Sequence, residues 1–408
     1  MRNLSNKQET WLILLLGTLT ALAPLSIDMY LPSFPAIAKY FGINISGVEL
    51  SLTFFFAGIS LGQLIYGPIL DRFGRKKPLL IGLSLYAIAS VGCFFAPNIH
   101  TFILLRLLQG LGGCVGMVAA NTVVRDVFPS DRTAKVFSLL MLTMGIAPMI
   151  APTLGGLLTS WFGWHSIFLV LSVFGLLLFV SVSFFLPETT QADTSVLLKP
   201  SVIFGKYIFV LKDLTFLRYA LTGSFASAGM FAYLAGSPFV MIDLFGFTEK
   251  EYGIMFAVNV TGLLLGSQVS RILLSRFESD RILFVATSFL FGTGGLLILS
   301  HFLISLSPFF LLVPIYTYLF CMGNITPNSN GMALSHFTKN IGSASAFMGF
   351  MQMAVGSTAS AVVGIFHSET ALPMTAVVGI CAFLSFSSYH GLGRLISQKQ
   401  KQTEILIQ

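Results

Sequence analysis

Charge is what this sequence has least of. Of its 408 residues only 10% are Asp, Glu, Lys or Arg, whereas a soluble domain carries about 25%. So few charges cannot cover a water-facing globule, and a mean hydropathy of +0.85 directs the surface to lipid. Cysteine is also scarce. Cys93, Cys114, Cys321 and Cys381 fall inside apolar runs with no CxxC spacing, so they read as small core or lipid-facing residues, not as a metal site or a disulfide framework. The six histidines fall in predicted loops or at span ends without metal-ligand spacing, and there is no Walker loop. Neither a metal, ATP nor any other cofactor is expected. No nucleophile–base constellation argues for an enzyme. The formal net charge of +7 would suit nucleic acid, but its distribution points to membrane topology.

Long apolar runs are abundant. "FLVLSVFGLLLFVSVSFFL" at 168–186 has the length of a spanning helix, about 20 residues. A transmembrane barrel would show shorter segments of alternating polarity. Hydropathy predicts twelve helices, at 11–34, 48–70, 78–96, 100–124, 134–160, 164–186, 216–241, 249–275, 281–303, 308–330, 341–366 and 371–396. Ala21-Leu22-Ala23 mimics a signal cleavage site, but Pro24 would hinder cleavage and the run continues apolar, so it is kept as a helix. With the N-terminus inside, only Lys39 and Lys250 fall in outside loops and Arg106 lies within a span. All other Lys and Arg, from Arg2 and Lys7 to Lys199, Lys339 and Lys401, fall inside. This bias predicts a multi-pass membrane protein with both termini cytoplasmic.

The one long polar break, 187–215, divides the chain into a six-helix bundle at 1–186, a cytoplasmic linker and a second bundle at 216–408. The apolar middle of the linker suggests a helix lying on the membrane surface. The halves look alike. "YLPSFP" from Tyr30 matches "YLAGSP" from Tyr233, "FGIN" at Phe41 matches "FGFT" at Phe245, and Gly67 with Asp71-Arg72 matches Gly266 with Ser270-Arg271. A duplicated six-helix unit is the pattern of a transporter whose halves rock about a midplane site.

Between the second and third spans Asp71, Arg72, Arg75, Lys76 and Lys77 place five charges in seven residues. Charge alone would make this a positive-inside anchor. The spacing Gly67-xxx-Asp71-Arg72-x-Gly74-Arg75-Lys76 resembles the signature loop of the major facilitator superfamily. "RLLQGLGG" at 106–113 resembles that superfamily's helix-4 motif, and "GIAPMIAPTLGG" at 145–156 its antiporter helix-5 motif. "SIDMYLPSFPAIA" at 26–38, "RDVF" at 125–128 and "LPET" at 186–189 look like the bicyclomycin-resistance branch of drug:proton antiporters, as does "AGMFAYLAGSPFV" at 228–240. The resemblance covers nearly the whole chain. It implies an all-α membrane protein of twelve helices in two pseudo-symmetric halves. It further implies a conformational switch in Gly67, Asp71, Arg72, Gly74 and Arg75, with Gly145, Pro148, Pro152 and Gly155 on the fifth span. Gly67 would allow close helix approach, Gly74 a tight turn, and Asp71 would latch a neighbouring bundle. Asn121 stands where many relatives carry arginine, so a basic lower fourth helix is not implied.

Asp28 and Arg106 are the acid and base that hydropathy places well inside spans, each about 9 Å below the outer surface at 1.5 Å per residue. Equal depth allows a pair or a shared network. A charge in mid-span costs about 3 kcal/mol, so both are candidates for proton coupling and for substrate binding. Tyr30, Met117, Asn121, Tyr233, Asn259 and Gln352 complete the candidate substrate site. The expected function is proton-coupled export of small amphipathic drugs, with protons, substrate and bilayer as partners and a monomer as the working form. The alternatives are a dedicated exporter of a siderophore, amino acid or other metabolite, and a non-transporting membrane sensor.

Overall fold

The computed structural model describes residues 6–190, 192–193, 200–300, 308–335, 337, 341–366 and 368–407. Arg2, Lys199 and Lys339, counted above for orientation, lie outside the described residues. So does part of the segment 187–215. Regular structure among the described residues is helical. The α-helices are α1 (Asn6–Asp28), α2 (Phe34–Phe41), α3 (Ile45–Phe73), α4 (Lys76–Phe94), α5 (Ile99–Val127), α6 (Ser130–Phe162), α7 (His165–Phe185) and α8 (Pro200–Leu211). Then follow α9 (Leu214–Pro238), α10 (Glu249–Leu273), α11 (Ser279–Ser300), α12 (Phe309–Ser335), α13 (Ile341–Ile365) and α14 (Leu372–Ile407). Twelve segments of this set are long and apolar enough to cross a membrane.

The first span runs further than hydropathy suggests, from Lys7 to Phe41. Pro32 and Pro35 do not end it: a 3₁₀ turn at Leu31–Ser33 receives Pro32, and Pro35 sits in the first turn of α2, where a missing N–H costs nothing. Gly42 then closes α2 at φ 65°. The repeat of this stretch in the second half behaves differently. α9 runs unbroken through Tyr233 to Pro238 and then widens into a π-helical turn at Phe239–Leu244, the local adjustment a lost backbone donor invites. Tyr30 thus sits at a break, and Tyr233 within a continuous helix.

The chain forms two compact units, one of Met1–Ile203 with Met241–Ala257, the other of Phe204–Val240 with Val258–Gln408. In the first, α5 is the centre. Glycines bring its backbone against its neighbours: Gly110 meets the Phe55 carbonyl, Gly58 meets the Leu107 carbonyl, and a Cβ at Gly116 would lie 2.7 Å from the Leu19 carbonyl oxygen. Such contact lets dispersion act where apolar side chains gain nothing by leaving lipid. In the second unit Gly262 and Gly266 do the same against the carbonyls of Tyr316 and Phe320. Gly58 and Gly62 lie 204 residues before Gly262 and Gly266. In sequence that offset pairs Gly266 with Gly62, and sets "ILDRF" at 69–73 against "LLSRF" at 273–277, where the matching by Asp71-Arg72 had paired Gly266 with Gly67. A Cβ at Gly67 would meet nothing within 4 Å, so close helix approach is not what that glycine serves.

Candidate functional site

α5 places Arg106 in its second turn, wholly buried. One Nη donates to the Gln109 side-chain oxygen, and the other to the Ser26 carbonyl at 3.1 Å. The guanidinium carbon lies 4.2 Å from the ring centres of both Tyr30 and Phe55 and 5.7 Å from that of Phe168. A desolvated cation over such an aromatic face gains about 2 kcal/mol or more. The network continues outward. Gln109 donates to Ser90 Oγ (2.8 Å), Ser26 Oγ and Tyr86 Oη are hydrogen-bonded at 2.6 Å, and Tyr30 Oη meets Ser51 Oγ at 3.2 Å. Ser26, Tyr30, Tyr86, Ser90 and Gln109 are all buried.

Arg106 has no carboxylate partner among the described residues. Asp28 is the last residue of α1, 3% exposed, and its Oδ1 has no hydrogen bond. The structure therefore brings Arg106 and Tyr30 together, with Asp28 two residues beyond the carbonyl that holds Arg106, but joins no Asp28–Arg106 ion pair. Equal depth does not fix rotation about a helix axis. Asp28 is also not the sole buried acid of the spans. Glu49, in the second turn of α3, is 1% exposed with Oε2 unpartnered. Hydropathy placed it at a span end because it starts that helix only at 48, whereas α3 begins at Ile45.

Met117 and Asn121 lie on α5, half-buried, about 16 Å and more along the axis from Arg106. They share its face but not its network. In the second unit Asn259 donates to Tyr233 Oη at 3.0 Å, and Gln352 donates to Asn330 Oδ1 at 2.9 Å. These are two separate pairs, and Asn330 is a partner the sequence reading did not single out.

The helix-5 residues lie in α6, with Pro148 and Pro152 inside the helix and Gly145 half-buried. Gly155 is pressed on the Met29 carbonyl, at the break of the first span. Four residues further along each segment, Ser33 Oγ meets Thr159 Oγ1 at 2.5 Å. α6 thus seals the broken end of α1 by backbone contact and one hydroxyl pair.

The charged loop is organised around Arg75. Its Nη1 donates to Asp71 at 2.7 Å and its Nε to Asp126 at 2.8 Å. Burial opposes the charge of Arg75, but the hydrogen bonds and charges of Asp126 and Asp71 outweigh it and raise its affinity for the proton above the ordinary arginine value. Gly74, at φ 83°, turns the chain so that the N–H groups of Arg75 and Lys76 both point at the Glu188 carboxylate, at 2.6 and 3.2 Å. A Cβ at Gly74 would strike that carboxylate at 2.8 Å. Glu188 so caps α4. Thr189 and Thr190 donate to the Asp126 oxygen that Arg75 also uses. The sequence reading noticed "RDVF" and "LPET" but gave neither acid a role. An excess of basic residues in the loop was the signal that acids elsewhere must meet them.

Against known proteins, the family model described as Major Facilitator Superfamily matches residues 16–361. The chain is 37% identical over 403 residues to an uncharacterized MFS-type transporter, YdgK, of Bacillus subtilis, covering 96% of this chain and 98% of that one. It is 31% identical over 380 residues to the bicyclomycin resistance protein homolog of Haemophilus influenzae, covering 93% and 95%. Among solved structures, a bacterial homolog of the human lysosomal transporter Spinster, in an inward-facing and unoccupied conformation, overlays with a TM-score of 0.68 at 14% identity, covering 96% of this chain and 98% of that one. That overlay carries the twelve-helix fold, and the sequence relatives carry the branch. The chain is a multi-pass transporter of the Major Facilitator Superfamily and belongs to its bicyclomycin-resistance branch.

Proposed function

We propose that this protein exports small amphipathic, drug-like compounds in exchange for protons, with both termini in the cytoplasm of a bacterial inner membrane. The resistance named for its Haemophilus relative supports the cargo class. The observation that carries the coupling is the Asp28 carboxyl, buried with its Oδ1 unpartnered, two residues along the chain from the carbonyl that holds Arg106. An ionised carboxylate without a donor is costly in such a site. Asp28 holds a proton while no cargo is bound, and gives it up when a cationic or hydrogen-bonding compound supplies the missing partner. Arg106 keeps a fixed positive charge nearby and ties α1 to α5. The energetics suffice: one charge crossing 150 mV supplies roughly 3.5 kcal/mol, enough for a gradient of a few hundred-fold.

The test uses purified protein in proteoliposomes with bicyclomycin and a lipophilic cation. Asp28→Asn removes the titrating group and keeps the shape. It should insert normally, lose proton release on cargo binding, and lose export driven by a proton gradient, while exchange of a neutral cargo survives. Undiminished proton release by the Asp28→Asn protein would remove Asp28 as the carrier.

A further inference from the structure

The second unit carries a groove that the transport reading does not use. Glycine contacts draw α10 against α12, as described above, and α11 packs on α12 from the other side. Near the turn that joins α10 to α11 the two outer helices stay apart, leaving a cavity of about 550 Å³ floored by α12. That volume lies within the range of about 300–1,000 Å³ common to small-ligand pockets. Leu273 and Phe277 form one wall, Ile282, Ala286 and Phe289 the other, and the floor reaches Cys321, which is 4% exposed.

What the groove offers a ligand is almost entirely apolar. Its two polar floor residues are turned back on their own helix: Thr317 Oγ1 donates to the Val313 carbonyl at 2.9 Å, and Asn324 Nδ2 to the Phe320 carbonyl at 3.0 Å. The mouth is different. Arg281 is exposed, its guanidinium carbon is held 5.0 Å from the Phe277 ring centre, and it has no ion pair among the described residues. Arg276 is exposed on the same turn. Of the two acids there, Asp280 is already engaged, accepting from Tyr219 at 2.8 Å and facing Arg218 at 3.4 Å, and Glu278 stands exposed. An apolar slot with an unneutralised cation at its lip fits a molecule with a long apolar chain and an anionic head. It disfavours a cationic drug, which Arg281 would repel.

We propose that this groove is a binding site for one acyl chain of an anionic phospholipid, with the phosphate on Arg281. On the proposed orientation the Arg-bearing end faces the cytoplasmic leaflet, where anionic lipid is met. A chain lodged between α10 and α11 would fill the gap that keeps the two helices from closing, and so would set the packing of this unit.

The test is native mass spectrometry of the full-length protein released from detergent after incubation with phosphatidylglycerol or with phosphatidylcholine of the same chains. The wild-type protein should retain one phosphatidylglycerol in preference to phosphatidylcholine. Arg281→Gln, an exposed change that leaves the core intact, should lower phosphatidylglycerol occupancy about fivefold and abolish the preference. Ala286→Phe, which fills the groove, should reduce retention of both lipids. Lys77→Gln, an exposed change in the first turn of α4, should leave the retention of both lipids unchanged. Glycerol phosphate, which has the anion without the chain, should not displace the lipid. Equal retention by wild type and Arg281→Gln, absence of headgroup preference, or displacement by glycerol phosphate would each overturn the proposal. Binding is read in detergent, so an error in the orientation reading would leave this result untouched, and loss of lipid binding would leave proton coupling at Asp28 untouched.

Discussion

The Arg75 knot makes a quantitative prediction that separates the structure from the motif. Motif spacing makes Asp71 the central acid of the loop. The geometry makes it Asp126. The Arg75 side chain is 9% exposed and that of Asp126 18%, whereas that of Asp71 is 55% exposed. Asp126 also gathers the hydroxyls of Thr189 and Thr190, so its loss frees two donors as well as the guanidinium. Breaking a fully buried pair by removing one partner costs about 3–5 kcal/mol. Here some water reaches the site and Asp71 remains to share the charge, so about 2–3 kcal/mol is expected for Asp126→Ala. An exposed pair such as Arg75–Asp71 is worth about 0–1 kcal/mol, and Asp71→Ala should cost no more. At about 2–4 °C per kcal/mol for a unit of this size, Asp126→Ala should lower the unfolding midpoint of the purified protein by roughly 4–12 °C. Asp71→Ala should lower it by roughly 4 °C at most. Intrinsic fluorescence during a thermal ramp in mild detergent reads both. A double-mutant cycle of Arg75→Ala with Asp126→Ala should return a coupling energy within the range of about 0.5–3 kcal/mol seen for residues in contact. If Asp71→Ala destabilises the protein as much as Asp126→Ala does, the assignment of the knot to Asp126 is wrong.

Two further outcomes follow from the first unit. Gly155→Ala should already impair folding and export, because even one methyl group overlaps the Met29 carbonyl and overpacking costs about 1–3 kcal/mol. Gly67→Ala, where a Cβ meets open space, should be neutral in the same thermal and export assays, and an inverted order would refute the packing account. Glu49→Gln should leave the unfolding midpoint unchanged or higher, since a neutral amide replaces an unpartnered buried carboxyl. It should also leave proton release intact, and loss of that release would make Glu49 a second carrier.

Fold class was legible because its cause is local. Twelve apolar runs and the positions of the basic residues are properties of neighbouring residues, and hydropathy sums them directly. The first span shows where that stops. Pro32 and Pro35 look like terminators, yet at the start of helical turns they are well placed, and the segment continues to Phe41. Side-chain partnerships were much less legible. Arg75 reaches Asp126 across 51 residues, and its N–H reaches Glu188 across 113. Nothing in the spacing of a loop encodes a partner so distant. Asp28 and Arg106 show the same limit. Residue count gives their depth, but which way the Arg106 side chain turns depends on Ser26, Gln109 and three aromatic rings brought in from separate segments of the chain.

The two halves repeat their backbone packing more faithfully than their electrostatics, and that inequality bears on how each is held. With Gly58 and Gly62 matched to Gly262 and Gly266, the register carried into the following turn sets Asp71 against Ser275, Arg72 against Arg276 and Arg75 against Ser279. The glycines survive because backbone contact between helices requires them in both halves. The ionic knot does not survive. Both residues that form the Arg75–Asp71 pair are serine in the second half, and the cations left there, Arg276 and Arg281, have no ion-pair partner among the described residues. The second unit is instead pinned at that end by Arg218. It faces Asp280 at 3.4 Å, donates to the Tyr389 carbonyl at 3.0 Å, and lies 4.3 Å from the Tyr389 ring centre, tying α9, α11 and α14 together. This clamp omits α10. The helix excluded from the clamp is the one that stands apart from α11 and leaves the groove. In the first unit the loop after α3 is fixed by protein carboxylates, whereas in the second the corresponding turn is left to an anion from outside the chain.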